Sequence, residues 1–197
     1  MSRKVFDKLT SAGGVVVVVV LIIAGGLLTW GHSFVNSNVH NQLARQEITF
    51  PPAAAFAHAK AGTEITPAMI PSVSQYAGQQ LLTGQQAEAY ADHFIAIHLS
   101  EMPFGGVYAK ISAAALASPT NTSLKTLEQT SFQGTTLRGL LLEAYAFAEI
   151  GQVMLWGAIA FFALALVMSV LVGLGLAHAR QTEPQEQMFP GRVSTAS

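Results

Sequence analysis

A chain of 197 residues that is 51% hydrophobic and carries 11% charged residues is poor in charge beside the roughly 25% of soluble domains. Its net charge of −1 offers no basic field for nucleic acid and no acidic tail. The absence of cysteine excludes disulfides, thiolate metal sites, Cys-X-X-Cys redox motifs and Cys-linked haem, and the length leaves room for one modest domain beside any membrane segment.

The first element is an uncharged run over residues 11–31 (SAGGVVVVVVLIIAGGLLTWG), long enough to cross a bilayer as a helix. Arg3, Lys4 and Lys8 precede it in residues 1–10, and Trp30 ends it as an interfacial anchor would. A charged start before an apolar run also suits a signal peptide. No small-x-small pair follows Trp30 closely, however, and Ala57 with Ala59 is too distant. An uncleaved membrane anchor is expected.

Residues 32–149 read as an all-α domain of four or five short helices. Residues 32–50 are polar and helical in part, Pro51-Pro52 interrupts them, and an alanine-rich turn of helix fits 53–61. Thr66-Pro67 and Pro71-Ser72 are helix start signals, since proline is tolerated at the first helical position. They predict a helix over 72–82 that breaks at Thr83-Gly84. The clearest amphipathic helix is 85–101, with Ala87, Ala91, Phe94, Ile95, Ile97 and His98 on one broad side. Pro103 and Gly105-Gly106 end it. Further helices are expected over 108–117 and 123–133, with Gly134-Thr135-Thr136 as a break before the last one. No segment alternates as a strand would.

The last helix begins near Leu137 and runs without proline into a second apolar span, residues 150–176, with no charge between Glu149 and Arg180. Tyr145, Glu149, Gln152 and Trp156 are spaced four, three and four apart, so they share one helix face at the edge of that span. Interfacial anchoring is the reading preferred for this stripe over a polar contact for a partner or a quinone-like ligand. Ala165, Ser169, Gly173 and Ala177 recur every four positions, a small-residue ridge that admits close approach of another helix. The ridge is expected to pack on the first span, where Gly14, Gly25 and Gly26 are the counterparts, or else on another subunit. Residues 177–197 form a polar tail with two prolines and read as disordered and cytoplasmic.

Orientation follows the placement of Lys and Arg. Three basic residues crowd the N-terminal flank of the first span, Arg180 follows the second, and the flanks facing residues 32–149 carry Glu143 and Glu149. Both termini are therefore expected in the cytoplasm and the central domain outside, in the plasma membrane.

Candidate chemistry is sparse. His93 and His98 share a helix but stand about 140° apart at a spacing of five, so they make no i, i+4 metal pair. His32, His40 and His58 lie in no metal motif. Glu88 or Asp92 with Glu101 would be the acid pair of a hydrolase, but Glu88 with Asp92 is more simply a solvated face. No nucleophile elbow, phosphate loop or dinucleotide fingerprint occurs. No catalytic, cofactor-binding or metal residue is assigned, and no cofactor is expected.

Taken whole, the segments 66–84 (TPAMIPSVSQYAGQQLLTG), QAEAYADHFIAIHL after them and LRGLLLEAYAF before the second span resemble a family of small actinobacterial two-pass membrane proteins. Some members carry the label of aromatic ring-opening dioxygenase. The resemblance covers most of the chain, both spans included, and implies a two-pass membrane protein. Extradiol ring cleavage needs iron held by histidines and a carboxylate, and no such set can be assigned, so no active-site residue is carried over. The reading is a non-enzymatic accessory or interaction component of a cell-envelope membrane complex. Its partners are the lipid bilayer and either other membrane proteins or further copies of itself, with no nucleic acid. In that case the contact surfaces are the ridge and the aromatics around Tyr76, Tyr90, Phe94 and Tyr108, although for the aromatics a place in the domain core is the preferred reading. An extracytoplasmic small-molecule sensor or binding protein is the first alternative, and a metal-dependent enzyme is the second.

Overall fold

A computed structural model describes residues 3–181. Among the described residues every regular element is a helix, and the only β pairing is an isolated antiparallel bridge between Thr49 and Gln80. Two long helices dominate: α1 (Arg3–Ala44) and α7 (Thr122–Gln181). Between them lie α2 (Ala53–Ala57), α3 (Ile70–Val73), α4 (Gly84–Tyr90), α5 (Ala96–Glu101) and α6 (Tyr108–Ala117). Both α1 and α7 contain a segment long and apolar enough to cross a membrane. The described part of residues 1–32 and 153–197 forms one compact unit, and residues 33–152 form the other.

In the first unit, α1 and α7 pair along a seam whose spacing is that of a heptad. On α1 the sheltered positions include Ser11, Gly14, Val18, Leu21, Gly25 and Leu28. On α7 they include Ala158, Phe161, Ala165, Met168, Val172 and Gly175. Alternating steps of three and four keep one stripe facing the partner helix in a left-handed pair. The register is antiparallel: Gly175 lies against Ser11, Gly14 against Val172, Gly25 against Phe162 and Gly157 against Leu28. Close approach is the reason for glycine here. A Cβ on Gly14 would lie 2.5 Å from Val172 Cγ2, and one on Gly25 would lie 2.9 Å from the Phe162 ring. Polar side chains on these helices bond to their own backbone, Thr29 Oγ1 donating to the Gly25 carbonyl at 2.9 Å and Ser169 Oγ to the Ala165 carbonyl at 2.7 Å. An apolar setting demands that satisfaction of every hydroxyl.

In the second unit the core gathers Leu43 of α1, Phe50, Met69, Val73, Leu81, Ala87, Ala91 and Leu141 of α7. The segment after α1 turns back through Glu47, whose φ is 53°, and lies beside residues 79–81: Phe50 N–H donates to the Gln79 carbonyl and Leu81 N–H to the Ile48 carbonyl, both at 2.9 Å. This places Phe50 in a row of rings, between Tyr76 and Tyr90. Its centroid is 5.2 Å from Tyr76 and 5.4 Å from Tyr90, Tyr90 is 4.7 Å from Phe94, and Phe94 is 4.6 Å from His98.

The helix expected over 72–82 is shorter. It is a 3₁₀ turn (Pro67–Met69), α3 and a second 3₁₀ turn (Ser74–Tyr76), after which Gly78 at φ 70° leads the chain out to pair with residues 48–50. The helix expected over 85–101 is present but widened: α4 and α5 are joined by a π turn, Ala91–Ile95. Its start is secured by a capping box in which Thr83 Oγ1 accepts from Gln86 N–H and Gln86 Oε1 accepts from Thr83 N–H. The helix over 108–117 falls where expected. No break occurs at Gly134. Asn121 Oδ1 accepts the Leu124 N–H at the start of α7, and the helix then runs unbroken to Gln181. An interior glycine costs a helix about 1 kcal/mol, which packing offsets here: a Cβ on Gly134 would lie 2.9 Å from Leu99 Cδ2. The expected tail begins inside this helix, and its greater part, residues 182–197, lies outside the described residues.

Candidate functional site

Helix periodicity sorts the residues at the end of α1, within the second unit, onto two neighbouring stripes. Val35, Val39 and Leu43 turn inward to the core. Phe34, Asn38 and Gln42 stand exposed beside them, and Gln46 continues their line just past the last turn. On α7 the corresponding division puts Leu141 and Ala144 inward and Leu140, Glu143 and Phe147 outward. Where the two helices meet, these stripes enclose a groove of about 380 Å³ lined by all of these residues except Leu141. Its floor is aliphatic. Its walls carry three amides, Asn38, Gln42 and Gln46, spaced four residues apart, and one carboxylate, Glu143, from α7. No Lys, Arg or His lines it. Asn38 Nδ2 donates to the Phe34 carbonyl at 2.9 Å.

The residues singled out from sequence are distributed differently. Within the stripe, Tyr145 is half-buried beside Gly84, and Glu149 accepts from Gln85 Nε2 of α4 at 3.4 Å. Gln152 is half-buried, and Trp156 is 64% exposed. Of the small-residue ridge, Ala165 alone sits in the seam. Ser169, Gly173 and Ala177 are exposed, and a Cβ on Gly173 would meet nothing within 4 Å. A four-residue repeat drifts around the helix, whereas the seam follows the three-four alternation. Gly14 and Gly25 hold the predicted place on α1, but Gly26 does not.

The aromatics split likewise. Tyr76, Tyr90 and Phe94 pack on the core, whereas Tyr108 is exposed and lies 5.7 Å from the Phe132 ring. Burial, aided by the Glu64 carboxylate, raises the Tyr90 phenol above its ordinary value of 10.0. Asp92 is not a solvated partner of Glu88. It is half-buried and receives both Arg138 Nη2, at 2.6 Å, and Arg138 Nε, at 3.1 Å, on the same carboxylate oxygen. His98 Nδ1 donates to the Phe94 carbonyl at 2.9 Å. Among the described residues, no three His, Asp or Glu side chains are grouped so as to hold a metal ion.

The groove was not anticipated from sequence. The one available signal was the spacing of Phe34, Asn38 and Gln42, a polar and aromatic stripe beside the apolar stripe of Val35, Val39 and Leu43. Its other wall comes from a segment about a hundred residues away, and no local pattern links the two. Comparison with known proteins adds no assignment: no family model, curated protein or solved structure matches the chain.

Proposed function

We propose that this chain is an integral plasma-membrane protein that crosses the bilayer twice and serves, without catalysis of its own, as an accessory or interaction component of a cell-envelope membrane complex. The spans are residues 11–31 and 150–176, with both termini in the cytoplasm and residues 32–149 outside. The observation that carries this reading is the exposure of the apolar helices: in the most apolar window of each, only 6% of residues are buried. Val16, Val20 and Ile23 of α1 and Leu166, Val170 and Leu174 of α7 all point away from the seam. In water such a surface would be covered by association; in a bilayer it is the natural outer face of a helix pair whose backbone groups are satisfied internally.

The chain has no cysteine, so single cysteines report topology directly. Asn121→Cys should react with a membrane-impermeant maleimide on intact cells, and Ser2→Cys should react only after permeabilisation. Extraction of the protein by alkaline carbonate would overturn the membrane reading. For the accessory role, purification in mild detergent should recover a stoichiometric set of membrane proteins, and recovery of a lone monomer or homodimer would overturn it.

One observation favours a second reading, an extracytoplasmic small-molecule binding protein. That observation is the groove, whose aliphatic floor and few converging polar side chains have the make-up of a ligand site.

A further inference from the structure

We infer that the groove between residues 34–46, at the end of α1, and residues 140–147 of α7 binds a single-chain amphiphile with an uncharged, hydroxyl-bearing head group. The inference rests on the membrane reading above, because the occupant must come from a lipid phase.

Three features of the groove select that chemistry. The first is the kind of polar group. Asn38, Gln42 and Gln46 each offer a donor and an acceptor, and Glu143 offers acceptors only. Hydroxyl groups both donate and accept, so a polyol head can engage all four side chains. The second is the sign of the charge. With no Lys, Arg or His in the lining, a phosphate, sulfate or carboxylate head would lose its hydration without a counter-charge and would meet Glu143. A quaternary ammonium head would gain Glu143 and ring faces but would leave the three amides unused.

The third feature is the order of side chains along the helices. On the α1 side the lining starts at Phe34, three residues after the apolar span, and ends at Gln46. On α7 it ends at Phe147, three residues before the second span, and Glu143 lies one turn further from that span. Aromatic side chains therefore mark the span-proximal end on both helices, and Gln42, Gln46 and Glu143 follow beyond them. An alkyl chain beside Phe34 and Phe147 with its head among the amides matches this order. A volume of about 380 Å³ lies at the lower end of the range for small-ligand sites and holds a monosaccharide-sized head with the first methylenes of its chain.

The test uses the full chain in phosphatidylcholine nanodiscs and a decyl glucoside carrying a diazirine in its alkyl chain. The same chain bearing a phosphate or a trimethylammonium head is run in parallel. Carbonate resistance and incorporation into the disc are established first; a protein that does not incorporate sinks the membrane reading, and this proposal falls with it. For incorporated protein, cross-links mapped by peptide mass spectrometry should saturate on residues 34–46 and 140–147 with the glucoside. At equal concentration they should be about tenfold weaker with either charged head. Unlabelled decyl glucoside should displace the probe, and free glucose should not.

Leu140→Trp, which fills the groove, and Gln42→Leu, which removes one amide, should each lower labelling about tenfold. Both side chains are exposed, so the helical circular dichroism should be unchanged. Unsaturable labelling, equal labelling by all three heads, preference for a charged head, or displacement by glucose alone would each overturn the proposal.

Discussion

Two buried polar side chains meet opposite fates. Ser131, fully buried on α7, donates to the Gly106 carbonyl at 2.8 Å and ties the glycine turn before α6 to the long helix. Thr66 is 3% exposed, and its hydroxyl has no hydrogen-bond partner among the described residues. Its backbone is extended, with φ −104° and ψ 156°, as the residue before a proline should be. Valine fits that conformation and removes the unpaired hydroxyl, so Thr66→Val should raise stability by about 1 kcal/mol. Thermal unfolding of the full chain in mild detergent checks this, and an unchanged or lower midpoint would count against it.

Tyr90 makes stability depend on alkaline pH. Because folding raises its pKa above 10.0, the folded state holds the phenolic proton more tightly than the unfolded chain does. The corresponding stability is fully present below pH 10 and is lost as pH rises from there through the folded-state value. In Tyr90→Phe the alkaline decline between those limits should flatten, as followed by denaturant midpoints from pH 9 upward. At this scale a local motif leaves a signal in the sequence and distant partners leave none. Thr83 to Gln86 has the spacing of a capping box, although as sequence Thr83-Gly84 reads only as a break, whereas the Asp92 pairing with Arg138 spans 46 positions.

Among the elements, the helices were legible because α1 and α7 are proline-free and uncharged over spanning lengths. Their breaks were harder to place. Gly134 and Gly14 carry the same letter, and in both cases glycine serves close packing within a continuous helix rather than ending it. The face that pairs was legible only in part. Small residues every four positions suggested the ridge at Ala165, Ser169, Gly173 and Ala177, but the partner helix imposes a seven-residue repeat that retains Ala165 and turns the others outward. This yields a paired test. Gly14→Leu forces a side chain into Val172 and should lower the stability of the detergent-solubilised chain by about 1–3 kcal/mol. Gly173→Leu enters open space and should change it by less than about 0.5 kcal/mol. A comparable loss from both would mean that the seam is wrongly placed. A change of oligomeric state on Gly173→Leu alone, seen by light scattering, would assign the outward ridge to contact between copies.

For the whole molecule, the proposed orientation rests on a small charge difference. The flank before the first span holds Arg3, Lys4 and Lys8, and the second span is followed by Arg180. Neither span has a comparable basic cluster on its other side, where the first Lys or Arg after the first span is Arg45. Basic residues close to span ends set orientation more strongly than acidic ones, so the three N-terminal residues supply most of the bias. Replacing all three with Gln leaves Arg180 as the basic residue nearest the span ends proposed to face the cytoplasm. In the Asn121→Cys background, this triple variant should insert in mixed orientation. The fraction of the introduced thiol reached by an impermeant maleimide on intact cells should fall well below that of the unaltered flank, and permeabilisation should restore it. Labelling that stays complete without permeabilisation would show that features other than these charges fix the direction of insertion. The groove proposal would then keep its chemistry while losing this account of which compartment it faces.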